Sequence, residues 1–372
     1  RFSYSKAPPP SARVAPGLLR PCAVCSLPDE PPAVAYRTPR WLQPAATSAQ
    51  GAAEDGELVV ERLPLTYEGH TYPHGHIAYV KGRPPAPVVL VHHNYAGLKQ
   101  FDIDQAAFLA KVGYVGLAVD HYKEVPDYTF EDRDPRRDIM PGFKPQKLSA
   151  RQRELAIRHT KGAFTAMNQC LRNPKHWRGL MDAYLEAANA HPSVKAGLAG
   201  AIGYCFGGQC VLEQVRAGHE IQAVVSFHGL LQSLPISRDQ PSNPGARLTP
   251  EEFAKECDVA PNTYSKKCKV LIENGDLDDE VPQTAIDMWR KEMDDNGVDW
   301  QFNNHSRTPH GFALAPGVFS TAYTELADRR STLSMLSLFA EVWPEFPQYP
   351  VATNACGTVL GQHIQTQLVA KL

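Results

Sequence analysis

The stretch that decides the fold is AGAIGYCFGGQC, residues 199–210. Small and apolar residues run into a cysteine that has one glycine two positions before it and another two after. Such a run suits a buried strand, and GGQCVLEQVRAG behind it carries helical periodicity. Strand, sharp turn and helix make the setting of a nucleophile elbow of the form G-x-C-x-G, with cysteine where serine is commoner. Gly203 and Gly207 then have a mechanical purpose, because side chains there would collide with the neighbouring strand and helix. The helix aims its first N–H groups and its dipole at Cys205, which favours an anion. The Phe206 N–H is placed to form half of an oxyanion hole. The alternative is a buried, inert cysteine. That suits Cys210, inside the helix, better than Cys205.

Strands and helices alternate on both sides of this turn. ELVVERLPLTY and HIAYVKG predict a leading pair of strands, and PVVLVHH (87–93) a strand buried on both faces. FDIDQAAFLAKVG predicts a helix with a closing glycine, and YVGLAVD the next buried strand. Residues 121–147 are charged and broken by proline, which predicts a surface loop over the sheet edge, and helical stretches follow over 148–190. Beyond the elbow come a strand in QAVVSFHG, a strand in KVLIENG, a helix in PQTAIDMWRKEMDDNG and a short strand in DWQFNN. A last helix is predicted through 320–342. The alternation implies an α/β fold with a mostly parallel central sheet and helices on both faces. In such folds function sits at the carboxyl ends of the strands.

Composition narrows the partners. The 372 residues carry a formal net charge of −2, which gives no electrostatic reason to expect nucleic acid or an anionic membrane. No apolar run approaches the ~18 residues of a membrane-spanning helix. Eight irregularly spaced cysteines do not make a disulfide scaffold and point to a reducing compartment. Residues 1–55 hold 10 of the 32 prolines and little apolar periodicity, so a disordered extension is expected there. The chain opens on Arg1 and has no acidic residue before Asp29, a pattern shared with organelle transit peptides. The expected location is cytoplasmic, with a plastid or mitochondrion as the alternative. Cys22 and Cys25 form a C-x-x-C without a second pair at zinc-finger spacing, so no metal site is expected.

A nucleophile needs a base, and the base needs a group to orient it. ENGDLDDEVP (273–282) puts acidic residues just past a strand, and TPHGF (308–312) puts His310 after the last strand. The order cysteine, acid, histidine is that of α/β-hydrolases. Asp276, Asp278, Asp279 and Glu280 all compete for the acid, and Asp278 is favoured by its place before Val281-Pro282. His310 gains weight from position alone, since the chain has 14 histidines. His228 ends a strand and is a structural or pocket-wall candidate.

GYCFGG, HNYAGLKQF, VVSFHG, NGDLDDEVP and PHGFA, in that order, resemble the motifs of the dienelactone hydrolase family over roughly residues 57–345. The resemblance implies an α/β-hydrolase fold, Cys205 as nucleophile, Asp278 as orienting acid and His310 as base. It also implies oxyanion amides from Phe206 and Tyr95. Asn94 stands where that family has a glutamate able to steer the thiol's proton; an amide can hold a thiol but cannot take its proton. His93 and Asn94 are candidate pocket residues beside His228.

The expectation is thus a hydrolase cleaving a lactone or ester through an acyl-cysteine, without metal or organic cofactor. Its domain is expected over 56–345, with a carboxyl-terminal extension over 346–372. A small-molecule substrate and a monomer or weak dimer are expected. The alternatives are a general carboxylesterase or thioesterase of the same fold, and a non-catalytic binding module. Residues 230–267 are expected to shape the pocket.

Overall fold

Six strands running the same way carry the molecule's centre. The structure, a computed structural model, describes residues 56–124, 128–133, 149–233, 262–315 and 322–361. The expected extension over 1–55 with its Cys22–Cys25 pair, and most of 230–267, lie outside these residues.

The strands are β1 (Leu58–Arg62), β2 (Leu65–Tyr67), β3 (His70–Tyr72), β4 (His76–Val80), β5 (Ala86–His92), β6 (Val115–Val119), β7 (Val194–Tyr204), β8 (Ala223–Phe227), β9 (Lys269–Leu277) and β10 (Asp299–Pro309). Eight of them form one sheet in the order β1-β4-β6-β5-β7-β8-β9-β10, with β2 and β3 as a separate hairpin. From β6 to β10 every pairing is parallel, while β1 and β4 add an antiparallel edge. The helices are α1 (Gln100–Val112), α2 (Ala150–Leu171), α3 (Pro174–Asn189), α4 (Phe206–Ala217), α5 (Gln283–Asp295) and α6 (Glu325–Val342). This is the mostly parallel, helix-covered sheet the alternation predicts, in the α/β-hydrolase arrangement the resemblance implies.

The apolar runs explain the layering. All seven residues of β5 and all five of β6 and of β8 are buried, because helices cover both faces. One core lies on the side of α3, α4 and α5, with Leu90, Leu117 and Trp289; the other lies on the side of α1 and α6, with Val91, Leu109 and Phe339. At ~1.5–3 kcal/mol for each large apolar side chain removed from water, these two cores supply the main drive to fold. A smaller cluster of Tyr122, Tyr128, Trp177 and Phe206 seats α2 and α3 against the start of α4.

Two expectations need correction. Among the described residues of 121–147, the chain is not a surface loop: Tyr122, Tyr128 and Arg133 are buried. The Arg133 guanidinium donates to both carboxylate oxygens of Asp120, at 2.8 and 2.7 Å, and a buried carboxylate and guanidinium persist only when so paired. The strand begun at DWQFNN is not short, because its pairing with β9 continues to Pro309. Residues 346–361 pack on the domain: the Tyr349 N–H donates to the Val112 carbonyl, and Asn354 Nδ2 to Asp328.

Candidate active site

The elbow forms as the glycines predict. Cys205 has φ 58° and ψ −114°, a strained conformation for a residue with a side chain. A Cβ on Gly203 would collide with the Gly207 carbonyl, and one on Gly207 with the carbonyls of His92 and His93. The second collision shows that the turn sits directly against the end of β5. The Cys205 N–H donates to the Phe227 carbonyl at 3.0 Å, which ties the turn to β8 as well. Phe206 and Gly207, as the first residues of α4, have N–H groups that no carbonyl within the helix can take.

His310 and Asp278 arrive from β10 and β9. Asp278 follows the last residue of β9 and accepts from His310 Nδ1 at 2.9 and 3.0 Å. Its Oδ1 also accepts the Glu280 N–H at 2.9 Å, so the carboxylate is held from two sides. Cys205 lies close enough to the His310 ring to act on its charge. Burial opposes a charge on this ring, but the attraction of neighbouring Cys205 and the hydrogen bond to Asp278 outweigh it, so its pKa is raised well above the usual histidine value.

A bulge aims the histidine. His305 pairs with Gly275 and Pro309 with Leu277, so β10 spends two more residues than β9 over this interval. Arg307 within it has φ 56°, and a Cβ on Gly275 would collide with the Thr308 carbonyl. In the sequence Gly275 only ends the strand predicted in KVLIENG; its need to let the bulge pass is a tertiary fact.

The other candidates sit behind this chain of three. His228 is fully buried, with φ 40°, and its ring meets the His310 ring edge-on at 5.0 Å. Neither of its ring nitrogens has a partner among the described residues. It packs against the His310 ring from inside the fold. His93 and Asn94 are also buried, at the start of the turn that carries Tyr95. Tyr95 lies near Cys205, its hydroxyl pKa raised first by burial and then by that neighbour. Its ring rests against Phe164 of α2, with centroids 5.1 Å apart.

One buried group has metal-ligand composition. His92, His121 and Cys210 bring their ligand atoms within 4.8 Å of one another. Hydrogen bonding accounts for both rings without an ion. The Trp177 indole N–H donates to His121 Nδ1 at 3.1 Å, which puts the His121 proton on Nε2. That N–H donates to His92 Nδ1 at 2.9 Å, and His92 Nε2–H donates to Gln214 Oε1 at 2.9 Å. Burial holds both rings neutral, lowering His92 to about 3 and His121 well below its usual value. A metal on His121 Nε2 would move the proton to Nδ1, against the indole N–H. The residues do not fit a metal.

The dienelactone hydrolase family profile matches residues 75–343. The chain belongs to the dienelactone hydrolase family. Among solved structures it is similar to m3DLH, at 26% identity and TM-score 0.55, covering 77% of this chain and 99% of that one. It is also similar to a dienelactone hydrolase-like promiscuous phosphotriesterase from metagenomic libraries, at 25% identity and TM-score 0.53, covering 77% and 99%. An uncharacterised Caenorhabditis elegans protein is 27% identical over 170 residues, 44% of this chain and 92% of its own. This dienelactone hydrolase family member has, among its described residues, no helix long and apolar enough to cross a membrane.

Proposed function

We propose that the protein hydrolyses a carboxylic ester or lactone through Cys205, with His310 as base and Asp278 as the acid that orients it. The observation that carries this reading is the hydrogen bond from His310 to Asp278, with Cys205 beside the same ring, at the carboxyl edge of the sheet. The Cys205 sulfur attacks the substrate carbonyl carbon, and its proton rests on His310. The oxyanion is received by the N–H groups of Phe206 and Tyr95. As the tetrahedral intermediate collapses, His310 returns the proton to the leaving alkoxide or enolate, and a thioester remains on Cys205. Water then gives a proton to His310 and attacks the thioester; collapse releases the acid and restores the thiol.

Asn94 bears on the substrate. Its Oδ1 accepts from the Ala96 N–H and from Lys99 Nζ, so this side chain has no carboxylate to offer the thiol. Proton transfer then falls to His310, which supports a general carboxylesterase or thioesterase within the fold as the second reading. The test is hydrolysis of an activated aryl ester and of a dienelactone by wild type and Cys205→Ala. The variant is expected to lose at least ~100-fold of the wild-type rate. Equal activity in the two folded proteins would remove Cys205 from the mechanism, and the preferred substrate separates lactonase from esterase.

A further inference from the structure

The turn from Asn94 to Gly97 joins β5 to α1, and its four successive carbonyl groups are each taken by a hydrogen-bond donor. His93 Nε2 accepts the His121 N–H at 3.2 Å, so the ring proton is on Nδ1 and is donated to the Asn94 carbonyl at 2.7 Å. The Tyr122 hydroxyl donates to the Tyr95 carbonyl at 2.8 Å, and the Tyr128 hydroxyl to the Ala96 carbonyl at 2.7 Å. Lys99 Nζ donates to the Gly97 carbonyl at 3.1 Å and to Asn94 Oδ1 at 2.9 Å. The Lys99 side chain is only 1% exposed, and its ammonium also meets Asp102 Oδ2 at 3.4 Å. A lysine is almost never placed so deep unless every donor is used.

The turn lies against the elbow, because Gly207 abuts the carbonyls of His92 and His93. Anchoring carbonyls fixes the planes of the peptides that contain them. The Asn94–Tyr95 peptide, whose N–H belongs to Tyr95, is held at its carbonyl by His93 and at the Asn94 side chain by Lys99. We propose that Lys99 is a positioning residue: its buried ammonium, bonded to Asn94 and Gly97, clamps the turn so that the Tyr95 N–H meets the oxyanion formed at Cys205. The clamp acts on acyl transfer and not on the reactivity of the sulfur. This rests on the reading of Cys205 as nucleophile. The chemical basis is that a tetrahedral oxyanion needs two aligned donors, whereas displacement of iodide by the sulfur needs none.

The experiment compares two reactions of the full chain. One is the acylation burst with a p-nitrophenyl ester; the other is alkylation of Cys205 by iodoacetamide, followed by mass spectrometry of its peptide. Lys99→Met keeps the length of the side chain and removes the ammonium. It is expected to slow acylation by ~10–100-fold, since loss of one oxyanion donor costs ~100–1000-fold, while alkylation stays within about 2-fold of wild type. Because Lys99→Met also strips Asp102 of its charge partner, Lys99→Met with Asp102→Asn serves as the folding control and is expected to show the same split. Asp102→Asn alone leaves the bonds to Asn94 and Gly97, and acylation is expected to stay within about 3-fold. Lys99→Gln, which can still donate to Asn94, recovers part of the loss. A folded double variant that acylates at the wild-type rate would overturn the proposal, as would equal losses in both reactions. A wild type that neither cleaves the ester nor alkylates at Cys205 would overturn the nucleophile reading, and the clamp with it.

Discussion

β9 and β10 carry two carboxylate–histidine pairs, and they differ in what stands beside them. Glu273 Oε2 meets His305 Nε2 at 2.6 Å, and five residues on from each, just past the ends of the two strands, Asp278 meets His310 at 2.9 Å. Both pairs are 32 residues apart in sequence. The first is closed: Glu273 is fully buried, its other oxygen accepts from Asn303 Nδ2 at 2.8 Å, and the His305 ring packs on Phe312. The second lies beyond the bulge and reaches Cys205. A carboxylate and a histidine in contact are therefore a common structural device. A third reactive group at the far side of the ring is what distinguishes a candidate site.

The sharpest break in the comparison is Asp278→Asn against Glu273→Gln. Asp278→Asn should lower kcat for an aryl ester by ~1,000–10,000-fold, because the imidazole loses the partner that fixes its tautomer. Glu273→Gln should leave kcat near wild type and instead cost ~3–5 kcal/mol of stability in urea, as expected when one partner of a buried pair is removed. Equal loss of rate in both would erase the distinction between the pairs.

A pH titration sharpens it further. His310 has its pKa raised in the fold, so its contribution to stability is complete below the ordinary value of ~6.5 and is lost as pH rises through the folded value. His92 and His121 are lowered by burial, so they contribute above ~6.5 and lose that contribution as pH falls. Each is worth about 1.4 kcal/mol per pH unit, for His92 down to about 3. The melting temperature should therefore drop between pH 6 and 4, and His92→Gln should flatten the drop. An unchanged slope would mean that His92 is not held neutral. The smallest effect is expected from Trp177→Phe, which removes the N–H donated to His121 but keeps a ring to stack on Phe206, 4.9 Å away. About 1 kcal/mol should be lost in urea, with kcat unchanged.

Much of the site was legible because its logic is local. Gly203 and Gly207 announce a turn that admits no Cβ, and the burial of β5 and of the second half of β7 follows from their small and apolar runs. Asp278 stood out from three acidic neighbours through its place before Val281-Pro282, and it is the one that meets His310. The miss over 121–133 has an equally plain cause. Charge and proline signal exposure only when the charges are unpaired, and Arg133 finds Asp120, an acid that precedes the loop, in the interior.

By itself, then, the sequence determined the alternation of strands and helices, the sharp turn at Cys205 and the order of cysteine, acid and histidine. These depend on short-range sterics and on apolar period, which neighbours in the chain express directly. Tertiary structure alone decided that His310 and not His305 reaches the thiol, that Gly275 must yield to the bulge, and that Lys99 lies under the Asn94–Gly97 turn. Each of those joins residues through a change of strand register or a buried hydrogen bond. Their energy exists only once the sheet has closed and water has been excluded.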